Sequence, residues 1–354
     1  MSIVLEAPTI ARPVVTPVPQ AAPTFVEPMP QAAPVLDVRH LTTEFKTYAG
    51  PLPAVNDMSF TLQRGRVLAI IGESGSGKSA LLRTILGIQP ASARISGEIV
   101  LNGVDLLKLT PSEREDLRGG AVSMVFQDPM TALDPIYTVE QQLVETIRRH
   151  SPVSPKEASA RARELLELVQ IPSPERRLKA YPFELSGGMR QRVVIAMALA
   201  STPSLLLADE PTTALDVTVQ GRILQLLADL QRQLGMSVIF VTHDLAVAAQ
   251  IADDVIVMYA GRVVETGLIA DVVRAPSHPY TRGLLAANVQ PGQKARPVTI
   301  PGSPPNMVRL PPGCSFAPRC ALSEDRCWES LPSLSTVTDG HHARCVQVES
   351  HAER

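Results

Sequence analysis

The residues with the clearest potential for chemistry lie in one stretch, GESGSGKS at positions 72–79. It matches the pattern G-x-x-x-x-G-K-[ST], in which glycines let successive backbone N–H groups turn toward an anion and the following helix adds its positive N-terminal end. Lys78 is expected to reach the β- and γ-phosphates of a nucleotide, and Ser79 to ligate Mg²⁺. The predicted contacts of the loop with a nucleotide are Gly72, Ser74, Gly75, Ser76, Gly77, Lys78, Ser79 and Ala80.

Two adjacent carboxylates follow an apolar run, LLLADE at positions 205–210. A buried strand that ends on Asp209 and Glu210 would deliver both groups to the edge where α/β sheets bind their ligands. Asp209 is expected to support the Mg²⁺ shell, and Glu210 to orient or deprotonate an attacking water. The competing interpretation is a helix N-cap, which is weakened by Pro211 and by the need of the phosphate loop for a metal partner.

Three more polar groups occupy places where a nucleotide site could use them. Gln127 follows the apolar run at 121–126, and His243 follows another at 237–242. Ser186 is followed by two glycines and begins a helix whose N-terminal end could bind an anion. Each group also has an ordinary structural explanation, such as a satisfied polar residue for the histidine and a common helix cap for the serine.

These groups need a sheet flanked by helices to bring them together. The apolar run at 67–71 predicts a buried strand before the phosphate loop, and residues 80–86 predict a helix after it. Alternating segments at 35–45 and 54–62 predict half-buried strands, and 128–183 has a mostly helical pattern with proline breaks. The expected fold class is therefore α/β with a helical insertion.

The composition limits the classes of protein that fit. Lysine and arginine total 33 against 35 acidic residues, and the formal charge of -2 gives no support to a dedicated nucleic-acid binder. No apolar run reaches the roughly 18 residues that a membrane span requires. The N-terminus lacks the features of a secretory signal, so we expect a cytosolic chain with reduced thiols. The prolines of residues 1–34 predict an extended, disordered leader.

The motifs occur in an order that resembles the ATP-binding cassette (ABC) ATPases, over about residues 35–270. The order runs from GESGSGKS through Gln127, LSGGMRQR, LLLADE and TALD to His243. Other P-loop proteins such as GTPases, kinases and helicases lack the LSGG element. The resemblance implies an ABC-type P-loop domain with a RecA-like mixed sheet core and a helical subdomain at about 128–183. It also implies a head-to-tail dimer of cassettes that closes on two ATP molecules.

The resemblance implies roles for the residues of the phosphate site. Lys78, Ser79 and Asp209 would hold the phosphates and Mg²⁺. Glu210 would act as the catalytic base, and His243 would contact the γ-phosphate. The catalytic residues that follow from the resemblance are Glu210, His243, Lys78 and Gln127.

Other positions that match the family's motifs would connect the site to its surroundings. Gln127 would link it to the helical insertion, and is counted among both the catalytic and the Mg²⁺ residues. Ser186, Gly187 and Gly188 would contact the ATP held by the other subunit. Asp216 would cross the dimer interface.

An aromatic side chain upstream of the phosphate loop often stacks on the adenine in sites of this type. Phe45 and Tyr48 are the candidates, and Tyr48 is included in the predicted ATP-binding set. Each of them is equally compatible with an ordinary position in the core or in a loop.

Further segments narrow the resemblance to the ATPase subunits of oligopeptide and dipeptide importers: FQDPMTALDP, YPFELSGGMRQR, HPYTRGLL and a cysteine-bearing extension at 271–354. Two departures are Phe183, where the family commonly has histidine, and the leader. The resemblance implies a peripheral protein at the cytoplasmic face of a bacterial inner membrane, where it drives peptide uptake. Nickel and glutathione are alternative cargoes.

The resemblance also implies partners. We expect a second ABC ATPase subunit in a heterodimer, with a homodimer as the alternative, two membrane permease subunits, and indirectly an extracytoplasmic solute-binding protein. A nucleic-acid-processing ABC ATPase would carry a long insertion or a second cassette, and a regulatory protein that does not hydrolyse ATP would normally lack Glu210 or His243. Neither alternative matches this chain, and no nucleic-acid partner is expected.

All four cysteines lie in the last 41 residues, at Cys314, Cys320, Cys327 and Cys345. Their separations match neither a zinc ribbon nor a compact ferredoxin run. Four thiols in a proline-rich tail still argue for a shared ligand, because the tail has too little apolar content to fold by packing alone. The family resemblance implies a [4Fe–4S] cluster bound by all four. Zn²⁺ is the second alternative, and free or disulfide-linked cysteines are the third.

Overall fold

Two β-sheets form the framework of the residues that the computed structural model describes, 33–213, 215–287 and 299–348. The predicted leader at 1–34 lies outside these ranges except for its last two residues. In chain order the described strands are β1 (Leu36–Thr47), β2 (Gly50–Leu62), β3 (Val67–Ile71), β4 (Arg94–Leu101), β5 (Val104–Asp105), β6 (Val122–Val125), β7 (Leu205–Asp209), β8 (Ser237–Thr242), β9 (Asp254–Tyr259), β10 (Arg262–Leu268), β11 (Ser335–Thr338) and β12 (His341–Ala343).

The larger sheet has the strand order β11-β12-β10-β9-β3-β8-β7-β6 among the described residues. The neighbours from β9 to β6 run parallel, whereas β10, β12 and β11 are added antiparallel. Strands β3, β6, β7 and β8 are buried along their whole length, as parallel strands covered on both faces require. The carboxyl ends of β3, β8, β7 and β6 therefore meet at one edge.

The smaller sheet is antiparallel, in the order β2-β1-β4-β5. It packs over the phosphate-loop helix, and apolar residues from both sheets share one core. The expected α/β class with mixed sheets is confirmed.

The described α-helices are α1 (Lys78–Leu86), α2 (Pro111–Leu117), α3 (Pro129–Ala132), α4 (Val139–His150), α5 (Pro155–Leu168), α6 (Pro174–Leu178), α7 (Gly187–Ala198), α8 (Val217–Leu234), α9 (Leu245–Ala248), α10 (Ile269–Arg274), α11 (Pro279–Ala287) and α12 (Arg326–Glu329), with short 3₁₀ helices at Pro182–Glu184 and Ala317–Arg319. The helical pattern expected at 128–183 corresponds to α3 through α6. Thr138 and Ser154 begin α4 and α5 with capping boxes, which fix where these helices start. Within the described part of the chain, no helix combines the length and apolarity needed to span a membrane.

The extension after residue 270 packs against the rest of the molecule, contrary to the expectation that it could not fold by packing alone. Its strand β12 pairs with β10 and so continues the larger sheet. Tyr280 and Phe316 are buried in one core cluster together with Ile71 of β3 and Val257 of β9. The expectation was wrong because it counted the apolar residues of the tail alone, whereas the tail buries them against the sheet.

Candidate functional site

The phosphate loop, residues 72–79, joins β3 to α1 at the carboxyl edge of the larger sheet. A Cβ atom at Gly72 would lie 2.2 Å from the carbonyl oxygen of Met258, and one at Gly77 would lie 2.0 Å from that of Ala54. Gly77 also has a φ of 103°, which side chains disfavour. Only glycine therefore fits at these two positions, because β9 packs against Gly72 and β2 packs against Gly77.

Lys78 is held inside the loop. Its Nζ donates hydrogen bonds to the carbonyl oxygens of Gly72 at 2.8 Å and Glu73 at 3.0 Å, and it lies 3.9 Å from Oε1 of Glu210. Burial lowers the pKa of Lys78, and the nearby carboxylate of Glu210 opposes that shift. The ammonium group thus lies inside the glycine loop, where it could form charge-assisted hydrogen bonds to a bound anion.

Ser79 and Asp209 place two hard oxygen groups side by side. Ser79 Oγ donates to Asp209 Oδ1 at 2.9 Å, and Asp209 is 3% exposed. Burial raises the pKa of Asp209, and the hydrogen bond from Ser79 opposes that shift. A hydroxyl and a carboxylate oxygen are ligands that Mg²⁺ accepts. The predicted pair therefore fits a magnesium ion.

Ser76 provides a further observation in favour of an anion. Its Oγ is buried and has no hydrogen-bond partner among the described residues. A buried hydroxyl without a partner is unfavourable by about 1–3 kcal/mol. A phosphate oxygen bound in the loop would supply the missing acceptor.

Glu210 and His243 meet next to Lys78. Glu210 Oε2 lies 3.2 Å from His243 Nδ1 and accepts a 2.8 Å bond from Thr213 Oγ1. Glu210 has a left-handed backbone, with φ at 45°, and its N–H donates to the carbonyl of Val241. Non-glycine residues in this region are strained and concentrate at functional sites. The carboxylate is thereby turned toward the phosphate loop rather than along its strand.

Gln127 lies two residues beyond β6, at the same edge of the sheet, and is exposed. Tyr48 lies in the turn between β1 and β2 and is fully exposed, whereas Phe45 is partly buried. The roles predicted for Gln127 and for Tyr48 stay predictions.

The segment 186–188 begins α7 and forms a separate site. Ser186 is exposed and makes no side-chain capping bond, although it occupies the N-cap position. Asp216 caps α8 by accepting a 2.9 Å bond from the N–H of Val219. These residues line an open cavity of about 450 Å³, and the phosphate loop contributes no residue to that lining. One chain therefore presents the two halves of the predicted ATP site at different places.

The four cysteines surround one small cavity, of about 10 Å³. None of them is in a disulfide, and the N–H of Cys314 donates to the carbonyl of Cys327. Burial raises the pKa of Cys314 to about 11 and also raises the pKa values of Cys320 and Cys345. Within the described ranges, no group of three or more His, Cys, Asp or Glu side chains could hold a metal ion. The structure thus gives no support to the expected [4Fe–4S] cluster or to Zn²⁺.

The sequence did not predict the residues that hold the predicted site residues in place. Thr213 orients Glu210, and the carbonyls of Ala54 and Met258 wall the phosphate loop. A threonine three residues after Glu210 could have been noticed as a local hydrogen-bond partner. Backbone carbonyls from distant strands leave no signal in the sequence.

Two family descriptions match the chain. Residues 55–213 match the family described as ABC transporter. Residues 264–327 match the family described as oligopeptide/dipeptide transporter, C-terminal region. The first match contains the phosphate loop, the 186–188 segment and the carboxylates, and the second contains Tyr280 and three of the cysteines.

Several curated proteins are similar over most of the chain. The oligopeptide transport ATP-binding protein OppD of Bacillus subtilis is 46% identical over 314 residues, 88% of each chain. The dipeptide transport ATP-binding protein DppD of the same organism is 46% identical over 322 residues, 90% of this chain and 96% of that one. OppD of Mycobacterium tuberculosis is 48% identical over 318 residues, and the chain spans only 52% of its length.

Solved structures of ATP-binding cassettes resemble the fold. The dimeric cassette MJ0796 bound to ADP and Pi has a TM-score of 0.59 at 30% identity, covering 66% of this chain and 98% of that one. The cbiO1 protein of Clostridium perfringens, part of the cbiONQ transporter complex, has a TM-score of 0.59 at 28% identity, covering 68% and 91%.

Proposed function

The chain belongs to the ATP-binding proteins of the ABC transporter family, in the oligopeptide and dipeptide group, and from this premise we propose that it is the ATP-hydrolysing motor of a bacterial importer for di- and oligopeptides. One observation carries the enzymatic part of the proposal. The carboxyl ends of β3, β7 and β8 place a lysine, a hydroxyl–carboxylate pair and a second carboxylate beside a histidine at one sheet edge. This set of residues can bind a nucleoside triphosphate and activate water.

The phosphates of ATP would lie in the glycine loop. Lys78 would exchange its bonds to two carbonyl oxygens for bonds to β- and γ-phosphate oxygens, and Ser76 Oγ would gain an acceptor. Ser79 and Asp209 would hold Mg²⁺, which neutralises developing charge on the phosphates when bound.

Hydrolysis would then use Glu210 and His243. A water oxygen forms a bond to the γ-phosphorus while the bond to the β–γ bridging oxygen breaks, and Glu210 accepts the proton of the water. His243 would contact the γ-phosphate from its place beside Glu210. The products are ADP and inorganic phosphate.

We propose that a partner subunit completes the site. Ser186, Gly187 and Gly188 of this chain would contact the γ-phosphate of the ATP bound by the partner, and the partner's corresponding segment would contact the ATP bound here, with Asp216 at the interface. The exposed Ser186 supports this proposal. Its side chain makes no capping hydrogen bond, so the N-terminal end of α7 is available to an anion. A second ABC ATPase in a heterodimer is preferred, with a homodimer as the alternative.

Closure of this dimer would move the helical insertion against two membrane permease subunits. Exposed apolar side chains around the insertion support a protein-docking surface, among them Phe126, Met130, Ile136, Tyr137 and Phe183. We place the protein at the cytoplasmic face of the bacterial inner membrane, as a peripheral subunit. The peptide would be delivered by an extracytoplasmic binding protein and would not touch this chain, so nickel or glutathione stay alternative cargoes.

The proposed division of the chain is a leader at 1–34, an ATPase domain at 35–270 and an extension at 271–354. A [4Fe–4S] cluster bound by the four cysteines, or Zn²⁺ in its place, stays a prediction from family resemblance. The thiols do line one cavity, but as arranged they fit neither group, because no set of three or more His, Cys, Asp or Glu side chains in the described residues could hold a metal ion. Therefore no step of the proposed cycle runs through them. Iron analysis of anaerobically purified protein tests the prediction.

The decisive experiment is co-expression of the chain with permease and partner ATPase genes, followed by purification and assay in proteoliposomes. We expect co-purification and Mg-ATP hydrolysis stimulated by a peptide-loaded binding protein. The matched pair of variants is Lys78→Ala in the site and Lys108→Ala, an exposed lysine outside it. Binding to DNA or ribosomes without permease association would favour the nucleic-acid class, and turnover that survives Lys78→Ala would contradict the proposed site.

A further inference from the structure

We propose that Arg319 and Tyr280, both from the C-terminal extension, are positioning residues for the phosphate loop and act through Glu73. The inference rests on the proposed ATPase function and assigns part of the loop's geometry to a region outside the cassette motifs. Glu73 occupies the first variable position of the loop. Both extension residues contact it directly.

Arg319 binds the side chain of Glu73 with both ends of its guanidinium group. Nη1 donates to Oε2 at 2.7 Å, and Nη2 donates to Oε1 at 3.1 Å. The arginine side chain is 6% exposed and that of Glu73 is 26% exposed. A two-bond arginine–carboxylate pair is geometrically specific, and its low exposure limits screening by solvent. The pair therefore fixes where the Glu73 side chain points.

Arg319 is itself rigidly held. Its Nε donates to the carbonyl of Pro301 at 2.8 Å, and Nη1 also reaches the hydroxyl of Tyr259 at 3.3 Å. The guanidinium carbon lies 5.9 Å from the ring centres of Tyr259 and Phe316, within the range of cation–π attraction. The pKa of Arg319 is raised by its hydrogen bond to Glu73. These contacts make the arginine a fixed support.

Tyr280 holds the backbone of the same residue. Its hydroxyl accepts a 2.8 Å hydrogen bond from the N–H of Glu73. Tyr280 is fully buried, and its ring lies 4.6 Å from that of Tyr259. The hydroxyl is therefore delivered by a packed side chain, and the N–H of Glu73 points away from the interior of the loop.

Glu73 connects these contacts to the phosphate site. Its carbonyl oxygen accepts hydrogen bonds from Lys78 Nζ at 3.0 Å and from the N–H of Ser76 at 3.2 Å. The extension thus contacts the side chain and the N–H of Glu73, while the carbonyl oxygen of Glu73 bonds to two residues that would bind phosphate. The extension presets the loop in this way, which reduces what ATP binding must spend on ordering it.

A double-mutant cycle tests the assignment. The full chain, assembled with its partner subunits, is prepared as wild type, Arg319→Ala, Glu73→Ala and the double variant. The Kd for Mg-ATP, KM and kcat are measured for each. We expect each single variant to raise Kd and KM about tenfold with kcat within about twofold, because ground-state positioning is lost. The double variant should be no worse than the weaker-binding single variant, because the two residues act as one unit.

Two further variants keep the test independent of folding. Tyr280→Phe preserves the packed ring and removes only the acceptor for the Glu73 N–H, so KM should rise about threefold. Arg309→Ala, at an exposed arginine of the extension, is the matched control and should leave Kd and KM unchanged.

The outcomes separate the possible explanations. Arg319→Ala with a lowered Tm and an unchanged KM would show a purely structural ion pair and would overturn the inference, as would single effects that multiply in the double variant. A wild-type chain that binds no Mg-ATP would instead overturn the proposed function, and the inference with it.

Discussion

The two halves of the proposed ATP site differ in how far one chain completes them. At the phosphate loop, Lys78 is buried and bonded to two carbonyl oxygens, and Ser79 is bonded to Asp209. At the start of α7, Ser186 is exposed and caps nothing. Both halves present backbone N–H groups at the N-terminal end of a helix, so both are suited to anions.

The difference teaches how one nucleotide could control assembly. In the proposed arrangement the phosphate-loop half is preorganised to bind ATP by itself, whereas the 186–188 half would contribute only when another chain supplies ATP. Substitutions in the first half should change the behaviour of single chains. Substitutions in the second half should change only what two chains do together.

The largest effect is expected from Glu210→Gln, which removes the base and retains the shape of the side chain. Hydrolysis should fall by about 100-fold or more, as general-base contributions are typically of that size. ATP binding should persist, so the dimer should accumulate in its ATP-bound form. Phosphate release and size-exclusion chromatography with Mg-ATP measure the two effects. Glu115→Gln, at an exposed glutamate, is the control. Unimpaired hydrolysis by the Glu210→Gln variant would show that Glu210 is not the catalytic base.

The next largest effect is expected from Lys78→Ala. The Kd of the isolated chain for ATP should rise by about 10- to 100-fold, because a charge-assisted contact to phosphate is lost. Equilibrium dialysis measures it without any partner. An unchanged Kd would contradict the view that this half acts alone.

A smaller and more selective effect is expected from Ser186→Ala. The Kd of the isolated chain for ATP should stay within about twofold, while hydrolysis by the assembled dimer should fall about tenfold, as for the loss of one hydrogen bond to a charged group. Equilibrium dialysis measures the Kd of the isolated chain, and phosphate release measures hydrolysis by the dimer. If the Kd of the single chain rises as well, the two halves are not separate.

The smallest effect is expected from Asp216→Ala, measured on the chain without ATP. Loss of the cap of α8 should lower the free energy of unfolding by about 1 kcal/mol. Urea unfolding followed by circular dichroism measures it. Asp216→Asn, which can still cap, should restore most of the loss, and a free energy of unfolding equal to wild type for Asp216→Ala would contradict the capping role.

Local patterns predicted the parts of the site that depend on neighbouring residues. The strand expected at 67–71 matches β3, and the carboxylates do follow a buried strand. The strand expected at 54–62 is longer in the structure, beginning at Gly50. Pro51 and Pro53 hid its first part, but β2 lies at the edge of its sheet, where proline is tolerated.

Long-range contacts account for what the sequence could not predict. Arg319 and Glu73 are 246 positions apart, and no periodicity relates them. The left-handed backbone of Glu210 is equally hidden, because a glutamate rarely adopts it. The tail contributed another error, since Tyr280 and Phe316 are buried in one cluster with residues from strands elsewhere in the chain.

The walls of the phosphate loop have one more consequence. Carbonyl groups of Ala54 and Met258, on strands far apart in the chain, both lie against glycines of the loop. A refolding intermediate in which β2 and β9 have not yet packed against the loop would offer ATP no complete site. Regained nucleotide affinity should therefore report the last stage of refolding, and ATP should delay thermal unfolding through its preference for the completed chain.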